Sequence, residues 1–217
     1  MSLAIFDLDN TLIAGDSDHA WGEFLVEHGI VDAHIYKTAN DRFYQNYLDG
    51  SLDIMEYLSF SLRPLAEHSP EQLQKWHQQF MLEKIQPIML DQANEKLAWH
   101  KAQGDFILII TATNRFVTEP IAEHLGVHEL IAIEPEMVDG RYTGQVAGIP
   151  SFKEGKVIRL RKWLEDKDFD LAETYFYSDS HNDLPLLRLV GKPIAVDPDE
   201  TLKAEAEQNS WPVISFR

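Results

Sequence analysis

From residue 106 onward, short apolar runs alternate with helix-like segments, and this alternation most constrains what the chain can fold into. The runs lie at 106–110, 130–133, 174–177, 193–196 and 213–216, with one earlier at 3–6. Each is too short for a buried helix and is bounded by turn-prone polar residues, which suits buried strands. Helical spacing falls at about 88–103, 115–125, 154–166, 181–190 and 199–209. The alternation predicts an α/β fold, a Rossmann-like and mostly parallel sheet with helices on both faces. One departure is expected at 136–146, where Asp139-Gly140 between β-prone arms predicts a hairpin.

Residues 14–86 carry no strand-like run. Trp21, Phe24 and Leu25, then Phe43, Tyr44 and Tyr47, then Tyr57, Leu58 and Leu62, then Leu73, Trp76 and Phe80 recur at roughly helical spacing. Ser69-Pro70-Glu71 is a helix-start signature. The pattern predicts four helices inserted after the first strand. Residues 1–13 and 87–217 would then form an α/β core, and 14–86 a helical-bundle cap whose aromatic stripes are its packing faces.

Composition removes several function classes. The chain has no cysteine, which excludes disulfides, thiolate catalysis and cysteine-ligated metals. A formal net charge of -17 argues against nucleic acid or an anionic membrane as partner. No apolar stretch approaches the roughly 18–20 residues that span a bilayer, and the N-terminus lacks the basic region of a signal peptide. A cytoplasmic protein is expected.

Directly after the first run stands Asp7-Leu8-Asp9-Asn10-Thr11. In an open α/β sheet, ligands bind outside the carboxyl ends of the strands, where this segment would lie. Two acids two residues apart can share one pocket, one attacking phosphorus while the other handles a proton or a metal; alternatively, they only end a strand in a polar turn. Thr111 follows the second strong strand, just before a helix N-terminus suited to anions. Lys156 opens an amphipathic segment and offers a cation. Asp179 and Asp183 follow a third strand and add hard oxygen ligands of the kind that suit Mg²⁺.

The ordered set Asp7-x-Asp9-x-Thr11, Thr111, Lys156 and Asp179-x3-Asp183 resembles motifs one to four of the haloacid dehalogenase superfamily. The helical insertion after motif one is similar to the C1 cap of its phosphoserine-phosphatase-like branch. The resemblance implies a HAD-like core and a phosphatase. Asp7 would be the nucleophile, forming an aspartyl-phosphate, and Asp9 the general acid and base. It implies Mg²⁺ held by the Asp7 and Asp179 side chains and the Asp9 backbone carbonyl, with Asp183 a ligand or close partner. Thr111, Lys156 and Asn182 would bind the phosphate. A second acid at Asp9 favours ester hydrolysis over dehalogenation, since a leaving halide needs no proton. Motif four departs from the family at Ser178, where glycine is usual, and Lys153 competes with Lys156 as the motif-three lysine.

Asp16, Asp18 and Glu23 lie where the chain enters the first cap helix, and acids facing a pocket there would favour a small phosphate ester bearing an ammonium or imidazolium. Phosphoserine and histidinol phosphate both fit, and the same acids also serve as simple helix caps. Arg42, Arg63 and Arg115 are candidates to greet a carboxylate; if none points inward, histidinol phosphate is the better fit. His181 reads as a spectator, and Gly126 argues against a zinc pair at His124 and His128. Transfer of the phosphoryl group to an alcohol, and a phospho-aspartate signalling module, are the competing functions.

Overall fold

Strand β1 (Leu3–Phe6) sends alternate side chains into two different cores. Ala4 and Phe6 join a cluster with Leu12, Trp21, Phe24 and Ile121 on one side. Leu3 and Ile5 join Leu108, Leu160, Leu186 and Leu202 on the other. Period-two alternation in a strand buried on both faces accounts for the unbroken apolar run. The computed structural model describes residues 2–217.

The sheet has seven strands in the order β4-β3-β2-β1-β5-β6-β7. They are β2 (Phe106–Asn114), β3 (Glu129–Val138), β4 (Arg141–Ala147), β5 (Tyr175–Ser178), β6 (Lys192–Val196) and β7 (Val213–Ile214). Neighbours run parallel except β3 and β4, which form the hairpin expected at Asp139-Gly140. Both turn residues adopt positive φ, 49° and 76°, as a tight hairpin turn demands. Helices α6 (Asp91–Ala102), α7 (Arg115–Leu125), α8 (Glu154–Leu164), α9 (Leu184–Leu187) and α10 (Glu200–Asn209) connect the strands.

Between β1 and β2 come α1 (Ser17–Glu27), α2 (Ala33–Leu48), α3 (Ile54–Ser61), α4 (Arg63–Glu67) and α5 (Pro70–Phe80). Five helices stand where four are expected, because the chain breaks at Leu62 ahead of Pro64, which has no N–H for a continuing helix. Asp16, Asp32, Asp53 and Ser69 cap four of them, each accepting a backbone N–H of the first turn. The chain leaves and re-enters the sheet layer at one place: Ile13 bridges Met89, and the Ala14 N–H donates to the Ile88 carbonyl at 2.7 Å.

The aromatic stripes serve two purposes, not one. Trp21 stacks on Phe24 and meets Phe80 and Phe116 edge-on, so α1 and α5 pack against α7 of the sheet layer as well as each other. Phe43, Tyr44, Tyr47 and Tyr57 instead face a cavity. No helix among the described residues is long and apolar enough to cross a membrane.

Candidate active site

Three adjacent strands deliver the reactive side chains. Phe6 is in register with Ile109 on one side and Tyr177 on the other. Asp7 and Asp179 therefore emerge at nearly the same height, at the carboxyl ends of β1 and β5, and Thr111 lies two residues beyond Ile109 within β2, which runs on to Asn114.

Asp7 is 2% exposed, and Lys156 reaches it from the first turn of α8, with Nζ 2.8 Å from Asp7 Oδ1. The same ammonium lies 2.7 Å from Asp183 Oδ1, and the Ser178 hydroxyl donates to Asp183 Oδ2 at 2.7 Å. Burial pushes Asp7 up to about 7, against the pull of Lys156. Burial also opposes the charge on Lys156, yet Asp183 and Asp7 outweigh it and hold the lysine above its usual range. Lys153 does not enter this cluster; its amine donates to the Gly50 carbonyl at 2.8 Å.

Asp9 is held from both sides. The Ser17 N–H donates to Oδ1 at 2.6 Å and the Thr113 hydroxyl to Oδ2 at 2.8 Å, while Thr111 Oγ1 stands 3.5 Å from Oδ2. Burial, and then the charge on Asp16, raise Asp9 to about 7, a value suited to giving and taking a proton near neutrality. Thr113 was not anticipated as part of the site. Its signal in the sequence is the spacing of two from Thr111, which places both hydroxyls on one side of an extended strand.

Asp179 accepts from Thr11 Oγ1 at 3.0 Å, and its own N–H donates back to that oxygen at 3.1 Å. Burial, with the charges of Asp7 and Asp183, raises Asp179 well above the carboxylate range. These hard oxygen donors carry more negative charge than Lys156 offsets, which fits a divalent cation. Among the described residues, no three His, Asp or Glu side chains stand together as a ready-made cage. Mg²⁺ does not require one, since it is commonly held by one or two carboxylates and completes its shell with water and phosphate oxygens.

Above Asp7 lies a cavity whose outer lining comes mainly from α1, α2 and α3. Asp16 and Asp18 line it, as do Phe43, Tyr44, Tyr47, Tyr57 and Phe152. Asp16 also caps α1, accepting from the His19 N–H at 2.8 Å, so one carboxylate both caps the helix and lines the cavity. Asn114 Nδ2 donates to Asp18 at 3.3 Å. Burial pushes both acids up to about 7. No arginine or lysine is among the lining residues. Arg42 pairs with Glu56 at 2.9 Å, Arg63 with Glu67 at 3.4 Å, and Arg115 with Glu134 at 2.8 Å.

One expected site residue lies elsewhere. Glu23 faces away from the cavity, its side chain 44% exposed and 3.7 Å from His19, because it falls on the solvent side of α1. Asn182, expected to bind phosphate, is buried next to Asp183 in the chain, and its Nδ2 donates to the Tyr47 carbonyl at 3.1 Å. His181 is held by Asp199 at 2.8 Å. The left-handed Gly126 ends α7 before His128, whose Nδ1 accepts from the Ile107 N–H, so the histidine pair is not a metal site.

An α/β sheet with a buried acid at the end of its central strand, a lysine bound to that acid and a second acid beside it defines a class of phosphoryl-handling hydrolases. Residues 4–188 match the haloacid dehalogenase-like hydrolase family. The chain is 47% identical to a histidinol-phosphatase of Neisseria meningitidis serogroup C (strain 8013), over all of this chain and 99% of the relative. A Bordetella pertussis Tohama I protein of unknown function superposes with a TM-score of 0.93 at 44% identity, covering 100% and 99% of the two chains. A substrate-bound phosphoserine phosphatase shares the fold, with a TM-score of 0.73 at 19% identity over 100% and 93%. The chain belongs to the haloacid dehalogenase-like hydrolase family and is a phosphoric monoester hydrolase.

Proposed function

We propose that the enzyme is a Mg²⁺-dependent histidinol-phosphate phosphatase working through a phosphorylated Asp7, with 14–86 acting as the cap that selects the leaving group. The observation that carries the substrate is the cavity lining. Asp16 and Asp18 offer negative charge to an ammonium and an imidazole, the aromatic rings offer faces to a heteroaromatic cation, and no arginine or lysine lines the cavity to receive a carboxylate, His19 being the one lining side chain able to carry positive charge. Phosphoserine would bring its carboxylate against buried acids without a partner, which is costly. The name of the N. meningitidis relative supports the same substrate.

Asp7 attacks phosphorus with one carboxylate oxygen, and the ester P–O bond opposite breaks. Asp9, placed by Ser17 and Thr113, gives its proton to the departing alkoxide. It then takes a proton from the water that attacks the aspartyl-phosphate, releasing inorganic phosphate and restoring Asp7. Lys156 offsets charge on Asp7 and, with the Thr111 hydroxyl, stands ready to hold phosphoryl oxygens. Mg²⁺, held by Asp7, Asp179 and the Asp9 carbonyl with Asp183 in support, would supply the positive charge that lets a phosphate dianion approach so many acids.

A phosphate-release assay with Mg²⁺ over histidinol phosphate, phosphoserine and p-nitrophenyl phosphate tests this reading. The expected order of kcat/KM puts histidinol phosphate first; equal or better turnover of phosphoserine sinks it.

A further inference from the structure

The cavity is assembled from two stretches of chain, so its shape depends on how helices α1–α3 are held against the sheet. Near its rim, the end of α2 and the turn after it, residues 47–50, are gripped by two loops of the sheet layer. Lys153 Nζ donates to the Gly50 carbonyl at 2.8 Å, and Asn182 Nδ2 donates to the Tyr47 carbonyl at 3.1 Å. Gly50, at φ +75°, lies so close to His181 that a Cβ there would stand 2.8 Å from Nε2. Tyr47 and Leu52, on either side of Gly50, both line the cavity.

The backbone of Lys153 is the second observation. It adopts φ 49° and ψ -121°, a conformation open to glycine and costly for any residue with a Cβ. A strained lysine persists where its side chain does something glycine cannot. Here the amine crosses to α2 and lies over the ring of Phe152, 5.1 Å from its centroid, and Phe152 itself lines the cavity. Lys153 also immediately precedes α8, the helix that carries Lys156 to Asp7. One short segment thus reaches both the reacting acid and the leaving-group pocket.

We infer that Lys153 is a positioning residue that latches the α2 end onto the sheet and sets the leaving-group cavity over Asp7. The inference rests on reading that cavity as the leaving-group pocket.

Three variants of the full chain test it: Lys153→Met, which removes the amine but keeps the stem, Lys153→Arg, and Lys153→Gly. In hydrogen–deuterium exchange without substrate, amides around 47–52 are expected to exchange faster in K153M than in wild type, with β1 unchanged. With Mg²⁺, kcat/KM for histidinol phosphate is expected to fall about tenfold in K153M, as a misplaced pocket implies. Hydrolysis of p-nitrophenyl phosphate, which has no cationic group to be gripped, should change less than about twofold, and K153R should recover most of the loss. K153G should lose activity like K153M yet melt higher than K153M, since glycine releases the strain. Unchanged exchange at 47–52, equal loss for both esters, or K153G melting no higher than K153M overturns the inference. Faster exchange at 47–52 in an enzyme whose wild type leaves histidinol phosphate intact supports the latch and removes only the substrate assignment.

Discussion

Lys156 and Asp7 are 149 positions apart in the chain, yet they meet at 2.8 Å, each only 2% exposed. An ion pair this buried is stabilising only if its remaining charges are also matched, and Asp183 shares the same ammonium. Negative charge remains in excess around Asp7, and that excess gives the predictions below their signs.

Asp7→Asn keeps the shape of the side chain and removes the oxygen proposed as the nucleophile. Turnover is expected to fall by about 10⁴-fold or more, with the circular-dichroism spectrum and cooperative melting retained. Substantial phosphate release by a folded variant would exclude a covalent intermediate on Asp7.

Asp9→Asn removes the proton carrier while leaving its contacts to Ser17 and Thr113 largely in place. A loss in kcat of about 10²–10⁴-fold is expected. Both chemical steps slow, so mass spectrometry of the quenched enzyme should be examined for trapped phosphoenzyme. A loss below about tenfold would mean that another group moves the proton.

Removing metal with EDTA is expected to abolish activity, and Mg²⁺ to restore it. Ca²⁺ should restore little, because its larger and looser coordination shell misplaces the attacking oxygen. Full activity in EDTA, checked by metal analysis of the dialysed protein, would contradict the assignment of Asp7 and Asp179.

Stability of the metal-free protein should fall as pH rises. Asp7, Asp9, Asp16 and Asp18 are each raised from the ordinary 3.8 to about 7, chiefly by burial. Between those values the folded chain holds protons that the unfolded chain has released, so this stabilisation is complete below about pH 4 and is lost as pH climbs through 7. Melting in EDTA is therefore expected to be lower at about pH 7.5 than at about pH 5, with each kcal/mol worth about 2–4 °C for a chain of this size. Mg²⁺ should raise the melting temperature more at the higher pH, where the carboxylates are free to bind it. A flat or rising metal-free profile would show that these acids are not strained by their surroundings.

Asp18→Asn is expected to raise KM for histidinol phosphate by about tenfold or more, the effect of removing a charge-assisted contact. The same change should leave p-nitrophenyl phosphate within about twofold, since that ester offers no cation to Asp18. Equal effects on both esters would move the role of Asp18 from recognition to folding.

The order of strands and helices, the hairpin at Asp139-Gly140 and the residues at the strand ends were all legible in the chain itself. Apolar periodicity and turn chemistry are local, and a residue that follows a buried strand must emerge at its end. Asp7, Asp9 and Asp179 share that property, whereas Thr111 stands inside β2, which runs on past the apolar run to Asn114. Contacts across the fold were not legible in the same way. Lys153 and Lys156 look alike in sequence, and only the direction of α8's first turn sends Lys156 to Asp7 and Lys153 to Gly50. Asp16, Asp18 and Glu23 are equally acidic, but helical rotation of about 100° per residue turns Glu23 to solvent and leaves Asp18 in the cavity. The chain by itself determined where the acids of the proposed chemistry stand, because strand-end placement needs only the local pattern. Tertiary structure alone decided which acids and rings surround the leaving group, because that lining is drawn from helices whose rotation and packing no local pattern specifies.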